Sequence, residues 1–205
     1  VSRPALPRLM LVTDRKVARR GDVIRAVLDA VEGGVRFVEL REKELPDAAV
    51  RAALEELLRA APAGTLFLVN GRPELARTFG VGLHLPERFP PVSREGIPLY
   101  GRSVHDEASC RAALEEGVDY LVAGPVFRTP SKPGHAGSGL AFLERIAERA
   151  APTPVYAIGG VTVSRVPQLL RSGAYGVAVC RAILRAPSPK QAAGAFGVAL
   201  EVALG

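Results

Sequence analysis

Three stretches decide how this chain folds: "EGGVRFVELRE" (32–42), "EEGVDYLVAGP" (115–125) and "RSGAYGVAVCR" (171–181). Each closes an amphipathic run on a glycine, the residue that most readily takes the left-handed conformation past a helix end, and then enters a short apolar segment. A helix that stops on glycine and feeds a strand is the joint of a repeating strand–helix unit.

Outward from these joints, apolar strand candidates recur at Leu9 to Thr13, Phe37 to Arg41, Leu66 to Asn70, Gly82 to Leu85, Leu99 to Val104, Tyr120 to Gly124, Val155 to Gly159 and Gly176 to Cys180. Between most of them lie runs such as "GDVIRAVLDAVEGG" and "DAAVRAALEELLRAA", apolar at spacings of three and four. Strands alternating with helices of this length imply parallel units. Eight units in 205 residues predict an α/β chain, a single (β/α)8 TIM barrel spanning 1–205 as one domain. A doubly wound open sheet is the alternative. The late glycines favour the barrel: "AIGG" (157–160) ends the seventh strand, and "VAVCRAIL" (177–184) runs from the eighth directly into a helix.

With 48% hydrophobic and 23% charged residues, the composition is that of a packed globular protein. The net charge of +6 is spread along the chain, without the contiguous basic run that nucleic acid would require, and reads as serving an anionic small ligand or as composition alone, the former favoured. Cys110 and Cys180 form no CxxC pair and read as reduced thiols of a cytosolic protein. No stretch reaches the roughly 18 to 20 apolar residues of a membrane span, and no signal-peptide pattern is expected at the N-terminus. Only four of 27 basic residues are lysines, so Lys43 and Lys132 stand out against an arginine background.

In such barrels phosphate sits between the loops after strands seven and eight. Gly159 and Gly160 would let the main chain approach an anion, and Cys180, Arg181 and Ala182 would add N–H donors at a helix start. At the rim of strand two, Glu39, Arg41 and Lys43 alternate and point one way, into the barrel mouth. The loop "GPVFRTPSKPGHAGSG" (124–139) is long for a compact domain and reads as a flexible lid offering Thr129, Ser131 and Lys132 to a polyanion or carboxylate.

Taken together, "VELREK", "NGRPELA", "GRSVHDEASCRAALEEGVDYLVAGPVFRTPSK", "AIGGVT" and "GAYGVAVCRAIL" resemble the thiamine phosphate synthase superfamily over nearly the whole chain, and within it the TenI branch. The resemblance implies a barrel that binds thiazole phosphate, with the phosphate on Gly159, Gly160 and the 180–182 loop. Arg41 and Lys43 would meet the ligand ring or carboxylate, Asn70 would face the site and Lys132 would contact it from the lid.

The branch turns on metal chemistry. The synthase joins a pyrimidine diphosphate to thiazole phosphate, and its leaving diphosphate needs Mg²⁺ held by aspartates. The family's Asn-Asp pair after strand three reads Asn70-Gly71 here, and the aspartate beyond strand four matches Phe89. Without those carboxylates, the expectation is a metal-independent thiazole tautomerase with no cofactor, an isomerase that shifts a proton on a carboxylated thiazole phosphate. Its acid and base would be histidines, which titrate near neutrality: His105 first and His135 on the lid second, with His84 packing or capping at the end of strand four. Pro125 occupies the position where the family's tautomerase carries its histidine.

Two rivals remain. A diverged synthase is favoured by "TPSK" and by Pro125 within "GPVF"; the other is a non-catalytic thiazole-phosphate-binding or regulatory protein. Barrels this small commonly pair, so a homo-oligomer is expected.

Overall fold

The computed structural model describes residues 6–134 and 136–205. Eight parallel strands, β1 (Leu9–Val12), β2 (Phe37–Leu40), β3 (Leu66–Asn70), β4 (Gly82–Leu85), β5 (Tyr100–Val104), β6 (Tyr120–Ala123), β7 (Val155–Ile158) and β8 (Gly176–Val179), follow one another around a closed barrel. The open-sheet alternative falls because β8 pairs back onto β1, with Leu9 opposite Val177 and Leu11 opposite Val179. The observed strands match the sequence reading to within one residue at each end.

The outer ring comprises α1 (Val23–Glu32), α2 (Asp47–Ala60), α3 (Pro73–Phe79), α4 (Glu107–Glu115), α5 (Leu140–Ala150), α6 (Val166–Arg171), α7 (Arg181–Leu184) and α8 (Pro189–Leu204). Local chemistry starts them. The Asp22 carboxylate accepts from the Arg25 N–H at the head of α1, and Asp106 with Ser109 forms a capping box on α4. Helix α1 buries Val23, Ala26, Val27, Ala30 and Val31, a 3.6-residue stripe laid against the barrel. Between β4 and β5 a loop, residues 86–99, replaces the helix. No helix among the described residues is long and apolar enough to cross a membrane.

Period-two alternation divides each strand between two cores. Val38, Leu40, Leu83, Leu85, Leu121 and Ala123 face the helices. Met10, Phe37, Leu68, Tyr120, Tyr156 and Ala178 fill the barrel interior. There the Phe37 and Tyr120 rings meet edge to face at 5.4 Å, and a Cβ at position 101 would lie 2.1 Å from Tyr120 Cζ, so Gly101 makes room for that ring. Full burial of each large apolar side chain contributes about 1.5–3 kcal/mol. Two residues further along the same inward faces, the filling turns polar: Glu39 follows Phe37, Asn70 follows Leu68 and His84 follows Gly82. This change marks the floor of the mouth.

Candidate functional site

At the C-terminal face, a cavity of about 500 Å³ is lined by the ends of all eight strands. It brings together Glu39, Arg41, Lys43, Asn70, His105, Thr129, Ser131, Lys132, Gly159, Gly160, Cys180, Arg181 and Ala182. His135 lies outside the described residues.

On the floor, the buried Glu39 carboxylate accepts a 2.7 Å hydrogen bond from Asn70 Nδ2. His84 is fully enclosed, with Nδ1 3.0 Å from the Tyr120 hydroxyl and Nε2 2.9 Å from Ser103 Oγ. Burial lowers its pKa, against a smaller upward pull from Glu39 and with Arg41 and Arg102 adding to the fall, so the imidazole is neutral. His84 thus fills the packing role expected of it while its ring still lines the cavity.

One wall carries the glycine turn. Gly159 and Gly160 have φ of +98° and +64°; a Cβ would lie 2.5 Å from Pro125 Cβ at the first and 2.6 Å from the Arg128 carbonyl oxygen at the second. Only glycine fits such a turn. The lid is stitched to it, because Val126 N–H donates to the Ile158 carbonyl and Phe127 N–H to the Gly159 carbonyl. Helix α7 opens beside it from Cys180. Burial pushes the Cys180 thiol up to about 12, so it holds its proton and is no acid–base group near neutrality.

The lining also carries cations, among them Arg41, Lys43 and Lys132. Desolvation lowers the Lys43 pKa, with Arg41 and then Lys132 contributing further and Glu39 opposing. For Lys132 desolvation again comes first, Glu87 opposes it and Arg41 adds to it. Partial burial is the main cause of both shifts, with Arg41 adding a smaller repulsion at each lysine. Lys132 Nζ lies 3.2 Å from His105 Nε2, and His105 Nδ1 donates to the Gly124 carbonyl, which can only accept. Nε2 therefore presents its lone pair to the ammonium.

Two clamps hold the β2–α2 loop that carries Arg41 and Lys43. Buried Glu42 accepts from Thr13 Oγ1 (2.6 Å) and the Arg15 N–H (2.9 Å), while Thr13 Oγ1 accepts from the Arg41 N–H (2.9 Å). Arg72 donates to the carbonyls of Glu42 (3.0 Å) and Leu45 (2.7 Å) and to Asp47 Oδ1 (2.9 Å). Sequence reading missed both clamps, and also Asp14, Ser103, Arg128, Thr162 and Arg165 in the lining. Period two would have found Ser103, two residues before His105, and Asp14, two after Val12. The clamps leave no periodic trace.

The thiamine monophosphate synthase (TMP-TENI) family matches residues 9–183. A thiamine-phosphate synthase of Thermus thermophilus is 41% identical over 200 residues, covering 93% of this chain and 96% of that protein. One from a Mycobacterium species is 41% identical over 208 residues, covering 93% and 92%. Among solved structures, the thiamine phosphate pyrophosphorylase of Pyrococcus furiosus superposes with a TM-score of 0.80 at 28% identity, covering 97% of both chains.

These relatives overturn the expectation of a thiazole tautomerase of the TenI branch: they carry the synthase name at this identity and coverage. Loss of the aspartates removes a metal cage, yet the mouth keeps concentrated positive charge on Arg41, Lys43 and Lys132. His105, expected as an acid or base of that tautomerase, has its two ring nitrogens against Gly124 and Lys132.

The Mg²⁺ implied by the synthase resemblance does not fit the residues present. Gly71 and Phe89, at the matching positions, are neighbours in space: a Cβ on Gly71 would lie 3.6 Å from Phe89 Cε2. A phenyl ring and a hydrogen atom stand where two carboxylates would converge, and Mg²⁺ demands oxygen donors. Among the described residues, no group of three or more His, Cys, Asp and Glu side chains could hold a metal. Of the cavity's carboxylates, Glu39 is tied to Asn70, Asp14 caps the Lys16 N–H and Glu87 stands 4.0 Å from His105 Nε2. With a family match over residues 9–183 and full-length relatives at 41% identity, this chain belongs to the thiamine monophosphate synthase (TMP-TENI) family.

Proposed function

We propose that this chain is a transferase of thiamine biosynthesis, a thiamine-phosphate synthase that couples a pyrimidine diphosphate to thiazole phosphate. The reading rests on one observation: a single cavity is lined both by a glycine turn, whose main chain can approach an anion, and by the cations Arg41, Lys43 and Lys132, which suits two phosphorylated ligands.

In this reading Gly159, Gly160 and the main chain of Cys180, Arg181 and Ala182 hold the thiazole's phosphate. Glu39 and Asn70 meet the polar edge of the pyrimidine from the barrel floor. Arg41, Lys43 and Lys132, with the hydroxyls of Thr129 and Ser131, hold the diphosphate. As the carbon–oxygen bond to the diphosphate breaks and a carbon–nitrogen bond to the thiazole forms, negative charge grows on the leaving group. Fixed cations there stabilise the transition state more than the ground state. His105 is a positioning residue, holding Lys132 over the mouth through the contact at Nε2. The two free thiols, Cys110 and Cys180, suit a reducing cytosol.

The test is steady-state coupling with Mg²⁺ present, following thiamine phosphate by fluorescence after oxidation. Turnover that collapses in Lys132→Ala is the expected result. Absence of thiamine phosphate above the enzyme-free background overturns the reading.

A further inference from the structure

The end of β3 and the loop after β4 pose a question that the proposed coupling reaction sharpens. A leaving diphosphate must be neutralised, and the residues at Gly71 and Phe89 supply no ligand for a divalent ion. Resting on the synthase reading, we propose that Arg41, Lys43 and Lys132 take over the neutralising role of a metal in this chain, so that it binds diphosphate without a divalent cation.

Three observations carry this. First, the two positions are not merely emptied of carboxylates. They pack against each other, with Phe89 also in contact with the apolar core. The position beside Gly71 has become a fastener: Arg72 ties the loop of Arg41 and Lys43 to the β3 end through the Glu42 and Leu45 carbonyls. Second, the carbonyl of Phe89 accepts from Arg102 Nη1 at 2.8 Å, as do those of Pro86 (2.9 Å) and Glu87 (3.2 Å). The β4–β5 loop is thereby pinned with its phenyl ring in place, and Arg102 is itself buried against Glu116. Third, charge in the cavity is unbalanced toward cations: Arg41, Lys43, Arg128, Lys132, Arg165 and Arg181 face only Asp14, Glu39 and Glu87. Both lysines are partly desolvated, and Arg41 disfavours the charge on each, more for Lys43 than for Lys132, where Glu87 opposes it; an incoming polyanion favours both charged forms. Ammonium and guanidinium donors on phosphate oxygens make short, charge-assisted hydrogen bonds and require no metal to bridge them.

The experiment measures binding of inorganic pyrophosphate to the purified full chain by titration calorimetry, once in EDTA and once in excess Mg²⁺. The Kd in EDTA is expected to lie within about threefold of that in Mg²⁺. Lys43→Met and Lys132→Met should each weaken it about tenfold or more in both media, the effect of removing one charge-assisted hydrogen bond. A Kd at least tenfold weaker in EDTA overturns the proposal. So does binding that is indifferent to both lysine substitutions, or absent in both media. These outcomes are separable from the function itself: thiamine phosphate formed in Mg²⁺ alongside EDTA-sensitive pyrophosphate binding would keep the synthase and discard the cation substitution.

Discussion

Replacing Arg72 with alanine should cost both stability and diphosphate binding. The guanidinium is largely covered, its side chain 12% exposed. Its two short contacts to main-chain carbonyls, at 2.7 Å to Leu45 and 3.0 Å to Glu42, carry most of the energy. A hydrogen bond involving a charged group contributes about 1.5 kcal/mol at the low end, giving about 3 kcal/mol for the pair. The ion pair to Asp47 adds little, because that carboxylate is 73% exposed and water screens it. The 3.3 Å contact to the Asn70 carbonyl is long and adds less. With a urea slope of about 2 kcal/mol/M, a loss of about 3 kcal/mol lowers the midpoint by about 1.5 M at unchanged slope. The same substitution removes one of the two clamps on the loop of Arg41 and Lys43, leaving that of Glu42, so KM for the pyrimidine diphosphate should rise several-fold while KM for thiazole phosphate stays within about twofold. Arg72→Lys, able to reach one carbonyl, should fall between. A midpoint shift below about 0.5 M, or equal changes in both KM values, would refute the clamp.

Gly160→Ala places a methyl 2.6 Å from the Arg128 carbonyl oxygen at φ +64°, so affinity for thiazole phosphate should drop more than tenfold; phosphate titration that matches the parent would count against the turn as a phosphate seat. Arg102→Met leaves Glu116 with the Tyr100 hydroxyl alone and takes a donor from the carbonyls of Pro86, Glu87 and Phe89, and a loss of about 2–3 kcal/mol is expected from the charged hydrogen bonds removed, read as a fall in the thermal midpoint. His84 has a pKa below its unfolded value, so the unfolded chain binds the proton first. Its stabilising contribution is complete above the unfolded value of about 6.5 and is lost as pH falls toward the lower folded value; His84→Gln should flatten the stability slope below about pH 6.5, and superimposable slopes would contradict this. Cys180, its thiol raised to about 12, should react with iodoacetamide at pH 8 far more slowly than a free thiol, as mass spectrometry would show.

The fold was legible because closure of the barrel depends on features that repeat. Each unit must end a helix, turn and re-enter the sheet, and glycines such as Gly117 and Gly173 mark those ends at recurring intervals. Inward and outward faces follow from period two, so spacing puts Glu39 on the inward face of β2, while Arg41 and Lys43 lie on the loop just past its end. The glycine turn was readable for a related reason: Gly159 and Gly160 occupy a backbone conformation and a space that no side chain tolerates.

What could not be read were contacts whose two ends share no pattern. Arg72 meets Glu42 and Leu45 across 30 and 27 residues, and nothing in "NGRPELA" states that its arginine turns away from the cavity toward a neighbouring loop. The misjudged branch has the same origin. Gly71 and Phe89 truly lack the donors of a metal site, but a missing ligand describes the ligand, whereas a reaction imposes only a requirement for charge. Unit charges about 4 Å apart interact by about 4 kcal/mol at an effective dielectric of about 20. If Arg41, Lys43 and Lys132 meet a diphosphate as proposed, three such cations supply attraction comparable to that of one divalent ion. Electrostatic demand can be met from either source, so the sum of charge at the barrel mouth is the quantity that bears on the chemistry, and here that sum remains positive.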